Sequence, residues 1–277
     1  MSSDDSLEGY VEVGIGGNSA DNPGLIGNAY MDLTSLTIEE ISQQVNMANS
    51  VNSANSGITE MTIYDKRIVE LLINCGVKNG DGLDDYLMGT GFIIQDFNGK
   101  SCIATAGHVA YGNEFPKGIE VVIKDSANHE LYKCNAEAVH VPKSHMVGDD
   151  CANAKYDYAL ITVNCGFSLA QTYGYFYIAS IGDNPQDTNV TVSGYKSDFR
   201  LYTCFGAIVE SNDSKYLYEP LTAPGMSGSP VYITVDGTDF AVAINSGLCS
   251  DGNNITRGIG AYTKWSVTRF LAFNPFA

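Results

Sequence analysis

From residue 67 to residue 163 the chain runs through short stretches rich in Ile, Val, Tyr and Phe, broken by Gly, Asn and Asp. Stretches this short, enriched in β-branched and aromatic side chains and bounded by turn formers, predict strands rather than helices. The pattern places them at 67–74, 88–95, 101–106, 119–124, 131–141 and 157–163. A crossover at 164–173 leads to a second set, at 175–179, 189–195, 201–211, 215–219, 229–235, 240–246 and 259–263. Regular spacing of short strands and turns favours closed barrels over a sandwich. The expected fold is therefore all-β, two six-stranded antiparallel barrels, with Trp265, Phe270 and Leu271 marking a closing amphipathic helix.

Before residue 58 the pattern changes. Residues 1–35 are acidic and rich in Gly and Asn, show neither helical nor strand periodicity, and are expected to be mobile. Thr37 and Glu40 have capping-box spacing, and Ile38, Ile41 and Val45 form an apolar stripe, which predicts one short helix. A polar linker follows at 49–57. The expected division is an N-terminal extension at 1–57, a first barrel at 58–165, and a second barrel with the closing helix at 166–277.

Of the 277 residues, 44% are hydrophobic, enough for buried cores without staples. The net charge of −17, from 15 basic and 32 acidic residues, argues against nucleic acid or an anionic membrane surface as partner. The first residues lack a basic and apolar leader, and no apolar run approaches the ~18 residues of a membrane span. That absence favours the cytoplasm. Seven cysteines, an odd number without CxxC spacing, read as mostly reduced thiols packed as small apolar groups.

Candidate chemistry lies in three motifs. In Thr222-Ala223-Pro224-Gly225-Met226-Ser227-Gly228-Ser229-Pro230, glycines on both sides of Ser227 permit a tight turn that presents its hydroxyl outward. The same turn gathers the amides of Gly225 and Ser227 into a concavity suited to a developing oxyanion. Thr105-Ala106-Gly107-His108 delivers a histidine at a strand end. Asp157-Tyr158-Ala159-Leu160 opens an apolar strand with a carboxylate, and a carboxylate among apolar neighbours needs a donor such as an imidazole N–H. Each motif alone has an ordinary structural explanation. Together they give the order His, Asp, Ser with separations of 157 − 108 = 49 and 227 − 157 = 70 residues, which fits a nucleophile, general base and orienting acid.

These motifs together resemble the chymotrypsin-like serine peptidases, with the V8-like glutamyl endopeptidases as the nearest branch. The likeness extends to the Gly194-Tyr195-x-x-Asp198 turn and the ending from Gly260 to Leu271, over roughly residues 65–273. It implies a serine endopeptidase acting on polypeptides through His108, Asp157 and Ser227, with Gly225 and Ser227 as oxyanion hole and no metal or cofactor. His129, His140 and His145, near Asp149, Asp150 and Cys151, lack helix-based metal-ligand spacing and read as surface loop residues. The alternative is a catalytically silent two-barrel binding module.

The resemblance also implies a specificity pocket walled by Thr222 and the strand carrying Asn245, Ser246 and Gly247. Asn245 and Ser246 stand where the V8-like branch has a histidine and a tryptophan, which puts strict glutamate specificity in doubt. No acid stands at the Thr222 wall, and Glu219 is the nearest, so an uncharged polar or medium apolar side chain is the expected preference. Met226 stands where trypsin-like zymogens have the aspartate that captures a new N-terminus. Arg67-Ile68-Val69 imitates an activation cleavage site, but Ile68 is expected to begin a strand.

Overall fold

The computed structural model of the chain describes residues 10–14, 30–32 and 57–262, apart from 79–83, 98, 113–114, 143–153, 182–184, 213–214 and 251–255. In the first half the strands are β1 (Tyr10–Gly14), β2 (Tyr30–Asp32), β3 (Thr59–Glu60), β4 (Ile68–Lys78), β5 (Asp84–Phe97), β6 (Lys100–Thr105), β7 (Gly118–Lys124), β8 (Glu130–Pro142) and β9 (Ala159–Val163). In the second they are β10 (Tyr177–Ser180), β11 (Asn189–Tyr195), β12 (Leu201–Asn212), β13 (Lys215–Tyr218), β14 (Pro230–Val235), β15 (Thr238–Ser250) and β16 (Thr256–Tyr262). Two short helices, α1 (Gly107–Ala110) and α2 (Leu169–Tyr173), interrupt them.

Two closed barrels result. The order β8-β7-β4-β5-β6-β9 is closed by pairing of β8 with β9, and β14-β11-β12-β13-β16-β15 by pairing of β14 with β15. Closure leaves each six-stranded sheet without a free edge, which is what short alternating strands with tight turns favour. Their inward side chains form the core, with Ile68, Leu71, Phe92, Ile103 and Ile161 in the first barrel and Val192, Cys204, Ile208 and Val231 in the second. Among the described residues no helix is long and apolar enough to cross a membrane.

Three elements differ from the sequence expectation. Seven runs were available for the second barrel, and that at 175–179 supplies β10, which lies outside it and pairs in parallel with β15. Its apolar content serves the seam instead: Phe176 packs edge-on against Phe92 at 5.6 Å and Tyr232 at 5.2 Å. The stretch expected to be mobile contributes β1, paired antiparallel with β8, and β2, paired in parallel with β10. Both are recruited by strands already in place, so their pairing needs no periodic signal of their own. Cys134 and Cys165, expected to be reduced, form a disulfide with Cα atoms 5.8 Å apart, and Cys249 is also disulfide-bonded. Pairing of Ala136 with Val163 brings the first two together, a contact that cysteine counting cannot reveal. Cys75, Cys102 and Cys204 are free. The helices expected at 37–48 and after Trp265 lie outside the described residues.

The barrels meet along β4 and β5 against β10 and β11, with β6 facing β15. Lys124 of the first barrel crosses the seam: it pairs with buried Glu70 at 2.9 Å and donates to the Phe199 carbonyl at 3.1 Å. Ile68 is fully buried at the start of β4, and its N–H donates to Asp65. Arg67 lies over the Phe176 ring with its guanidinium on Asp65 and Asp239. The Arg67-Ile68 bond is thus part of the packed seam, and Ile68 begins a strand.

Candidate active site

The three motifs converge at one end of this seam. His108 lies in the single turn of α1, directly after β6, where the helix itself leaves the first N–H groups without partners. Asp157 follows a 3₁₀ turn at Ala154–Tyr156 and precedes β9, which pairs with β6 through Thr105 and Ala159. That register sets the carboxylate beside α1. Asp157 Oδ1 accepts the His108 backbone N–H at 2.8 Å, and Oδ2 lies 2.8 Å from His108 Nδ1.

Ser246 of β15 donates its hydroxyl to the same Oδ2. Asp157 is only 6% exposed, and three hydrogen bonds offset the desolvation of its carboxylate. An ionised carboxylate accepts only, so Nδ1 carries the hydrogen and Nε2 presents its lone pair. The His108 side chain remains 35% exposed. The arrangement can take a proton on Nε2 while the buried carboxylate holds the ring in place.

Ser227 belongs to the second barrel, in the loop between β13 and β14. Gly225 and Gly228 have φ of +95° and +86°, a region costly for side-chain-bearing residues. A Cβ on Gly228 would lie 2.0 Å from the Thr90 carbonyl oxygen and 2.2 Å from Thr105 Oγ1, so only glycine lets the loop approach the first barrel this closely. Thr90 of β5 ties it there. Its N–H donates to the Ser227 carbonyl at 2.9 Å, its hydroxyl donates to the Gly225 carbonyl at 2.8 Å, and Tyr195 N–H donates to that hydroxyl at 2.9 Å.

The peptide planes of this loop are fixed from behind. The Pro224 carbonyl accepts Ser197 N–H at 3.1 Å, and because a trans peptide opposes its C=O and N–H, Gly225 N–H points the other way. The Met226 carbonyl accepts Asn245 Nδ2 at 2.8 Å and Ser229 Oγ at 2.7 Å, which turns Ser227 N–H outward as well. Among the described residues neither N–H is taken up by a protein acceptor. Two directed, unused donors beside a half-buried serine are the requirement for stabilising an oxyanion.

The residues expected at the pocket divide by environment. Thr222 is buried, and Gly247 has φ of +157° with open space around its Cα. Ser246 directs its hydroxyl to Asp157. Asn245 is fully buried with its amide engaged by Met226 and, at 2.6 Å, by the Tyr218 hydroxyl. Pairing of β14 with β15 ends at Pro230 and Ile244, whereas β15 runs on to Ser250 paired with β16, so its other edge beyond Asn245 carries no strand among the described residues. Such an edge can accept an extended peptide.

The remaining reactive groups lie elsewhere. His129 pairs with Asp125 in a turn, and His145 lies outside the described residues. His140, expected in a surface loop, is instead buried in β8 where both β1 and β9 pair with that strand, and burial lowers its basicity to a pKa of about 4. Burial also pushes the Cys102 thiol up to about 12. The sequence reading missed Thr90, Ser197 and Tyr218, whose contacts to this site come from distant strands and leave no local motif.

Two closed six-stranded barrels meeting at a seam define the chymotrypsin-like fold, which the chain shares with solved serine proteases. Among solved structures, the chain is similar to a Glu endopeptidase in complex with MPD, with a TM-score of 0.58 and 18% identity over 79% of this chain and 97% of that one. It is similar also to the protease Anisep from Arthrobacter nicotinovorans, at 0.60 and 19% over 78% and 99%. A thermostable serine protease, AL20, from an extremophilic microorganism matches at 0.55 and 16% over 77% and 99%. No protein-family model matches the chain.

Proposed function

We propose that the protein is a serine endopeptidase that cleaves polypeptides through His108, Asp157 and Ser227. The observation that carries this reading is the pair of hydrogen bonds that Asp157 accepts from His108, set across the seam from a glycine-bracketed serine, with the N–H groups of Gly225 and Ser227 unused among the described residues. In the reaction His108 Nε2 takes the proton of Ser227 as its oxygen attacks the scissile carbonyl. The oxyanion is received by the N–H groups of Gly225 and Ser227. His108 then returns the proton to the leaving amine, and water repeats the sequence to release the acyl group. Asp157 keeps the imidazole in the required tautomer throughout. A fluorophosphonate probe tests the assignment: one adduct on Ser227 of the native protein is expected, and a native protein that forms none sinks the reading.

Substrate side chains meet an uncharged pocket. Thr222 and the Ser246-Gly247 edge form its walls, with Asn245 and Tyr218 behind them. The Tyr218 ring lies over Gly258, where a Cβ would come within 2.2 Å of it, and so fills depth on that side. Glu219 spends its carboxylate on Ala207 N–H. A buried charge without a counter-charge is costly, so neither the glutamate preference in one neighbour's name nor an arginine preference carries over. Profiling on a peptide library is expected to show cleavage after small to medium uncharged residues. Dominant cleavage after Glu, or after Arg and Lys, contradicts this pocket.

A further inference from the structure

We infer that Asn245, backed by Tyr218, is a positioning residue that sets the oxyanion hole, supplying a neutral anchor where a charged residue before the serine is lacking. The inference rests on the peptidase reading of the site. Met226, directly before Ser227, is fully buried and offers only its backbone. Its carbonyl accepts Ser229 N–H at 3.2 Å and Ser229 Oγ at 2.7 Å from within the same turn. The bond from Asn245 Nδ2, at 2.8 Å, reaches this loop carbonyl from β15, nineteen residues along the chain, and therefore ties the turn to the barrel wall.

The wall is tied to the turn a second time by backbone: Asn245 N–H donates to the Ser229 carbonyl at 2.9 Å, and Gly228 N–H to the Asn245 carbonyl at 2.8 Å. An amide can rotate by half a turn, which here would set Oδ1 against the Met226 carbonyl, two acceptors face to face. Tyr218 reinforces the productive orientation from the other side, its hydroxyl 2.6 Å from Asn245 Oδ1 and 2.9 Å from the Ile259 carbonyl. Room for that ring exists because β16 presents Gly258 and Gly260 to it, and a Cβ on Gly260 would lie 3.2 Å from the hydroxyl.

Asn245, Tyr218 and Met226 are all 0% exposed, so water does not compete for these bonds and the low local dielectric strengthens them. Rotation of the Met226-Ser227 peptide plane would turn Ser227 N–H away from the hole, and Asn245 opposes that rotation directly. The hole is thus set in the uncleaved chain, in which Ile68 N–H is engaged by Asp65.

The test compares wild type, Asn245→Leu and Tyr218→Phe on a peptide that the wild type cleaves. Inhibition is measured for a peptide aldehyde, whose hemiacetal places an oxyanion in the hole, and for the corresponding peptide alcohol, which forms none. Asn245→Leu is expected to lower kcat by about 10- to 100-fold and to weaken the aldehyde by a similar factor, with KM and alcohol binding within about twofold. Tyr218→Phe is expected to show the same split with a loss of about 3- to 10-fold, and it decides alone if Asn245→Leu does not fold. Aldehyde binding within about twofold of wild type, or equal losses of aldehyde and alcohol binding, overturns the inference. A wild type that neither cleaves peptides nor labels with fluorophosphonate overturns the peptidase reading instead.

Discussion

Replacing Ser227 by alanine is expected to lower kcat by about 10⁶-fold and to leave the unfolding midpoint unchanged within error. The hydroxyl has no hydrogen bond to another protein group among those described, so its removal leaves no buried partner unsatisfied. The turn itself is held by contacts that the mutation spares: Thr90 on the carbonyls of Gly225 and Ser227, and Asn245 on that of Met226. His108→Ala is expected to cost about as much, because nucleophile and base act as one unit and losing either removes the activated oxygen. Burst and steady-state kinetics on a cleaved peptide, run beside thermal melts, check both. Loss of activity accompanied by a large fall in melting temperature would move Ser227 from chemistry to architecture.

Asp157→Asn is expected to lower kcat by about 10⁴-fold. The aspartate faces three donors: His108 N–H, His108 Nδ1–H and the Ser246 hydroxyl. Asparagine has one oxygen and one NH₂ for the same positions, and its NH₂ must meet a donor. The least costly adjustment is for His108 to release its Nδ1 hydrogen and carry it on Nε2, which leaves no lone pair toward Ser227. The expected signature is a fall in kcat with KM nearly unchanged, together with slowed fluorophosphonate labelling. Equal labelling rates for Asp157→Asn and wild type would remove Asp157 from the mechanism.

The residues named in those two predictions were legible in the sequence because each sits in a short motif whose geometry is local. Glycines around Ser227 announce a tight turn, and a carboxylate at the mouth of an apolar strand announces a need for donors. Strand runs were legible for the same reason. What was not legible is set by distance along the chain. Thr90 reaches Tyr195 across 105 residues and Gly225 across 135, and nothing in Thr90-Gly91-Phe92 marks a hydroxyl that serves another barrel. The Ser246 side chain also reaches Asp157, 89 residues earlier, a contact that no local motif marks. The disulfide of Cys134 with Cys165 and the edge strands β1 and β2 likewise depend on which strands pair, a property of the closed barrels and not of any one segment.

Thr90 belongs to one half of the molecule and the loop it holds belongs to the other. The second barrel closes on its own ladder, but the carbonyls of Gly225 and Ser227 in its Ser227 turn are satisfied by Thr90 of β5, from the other barrel. Gly228 reports the same dependence, since its contact with the Thr90 carbonyl exists only in the assembled pair. The contacts of this turn are therefore complete only when both barrels are in place. The glycine-bracketed serine is shaped jointly by the two barrels, and neither ladder alone supplies all the donors that hold it.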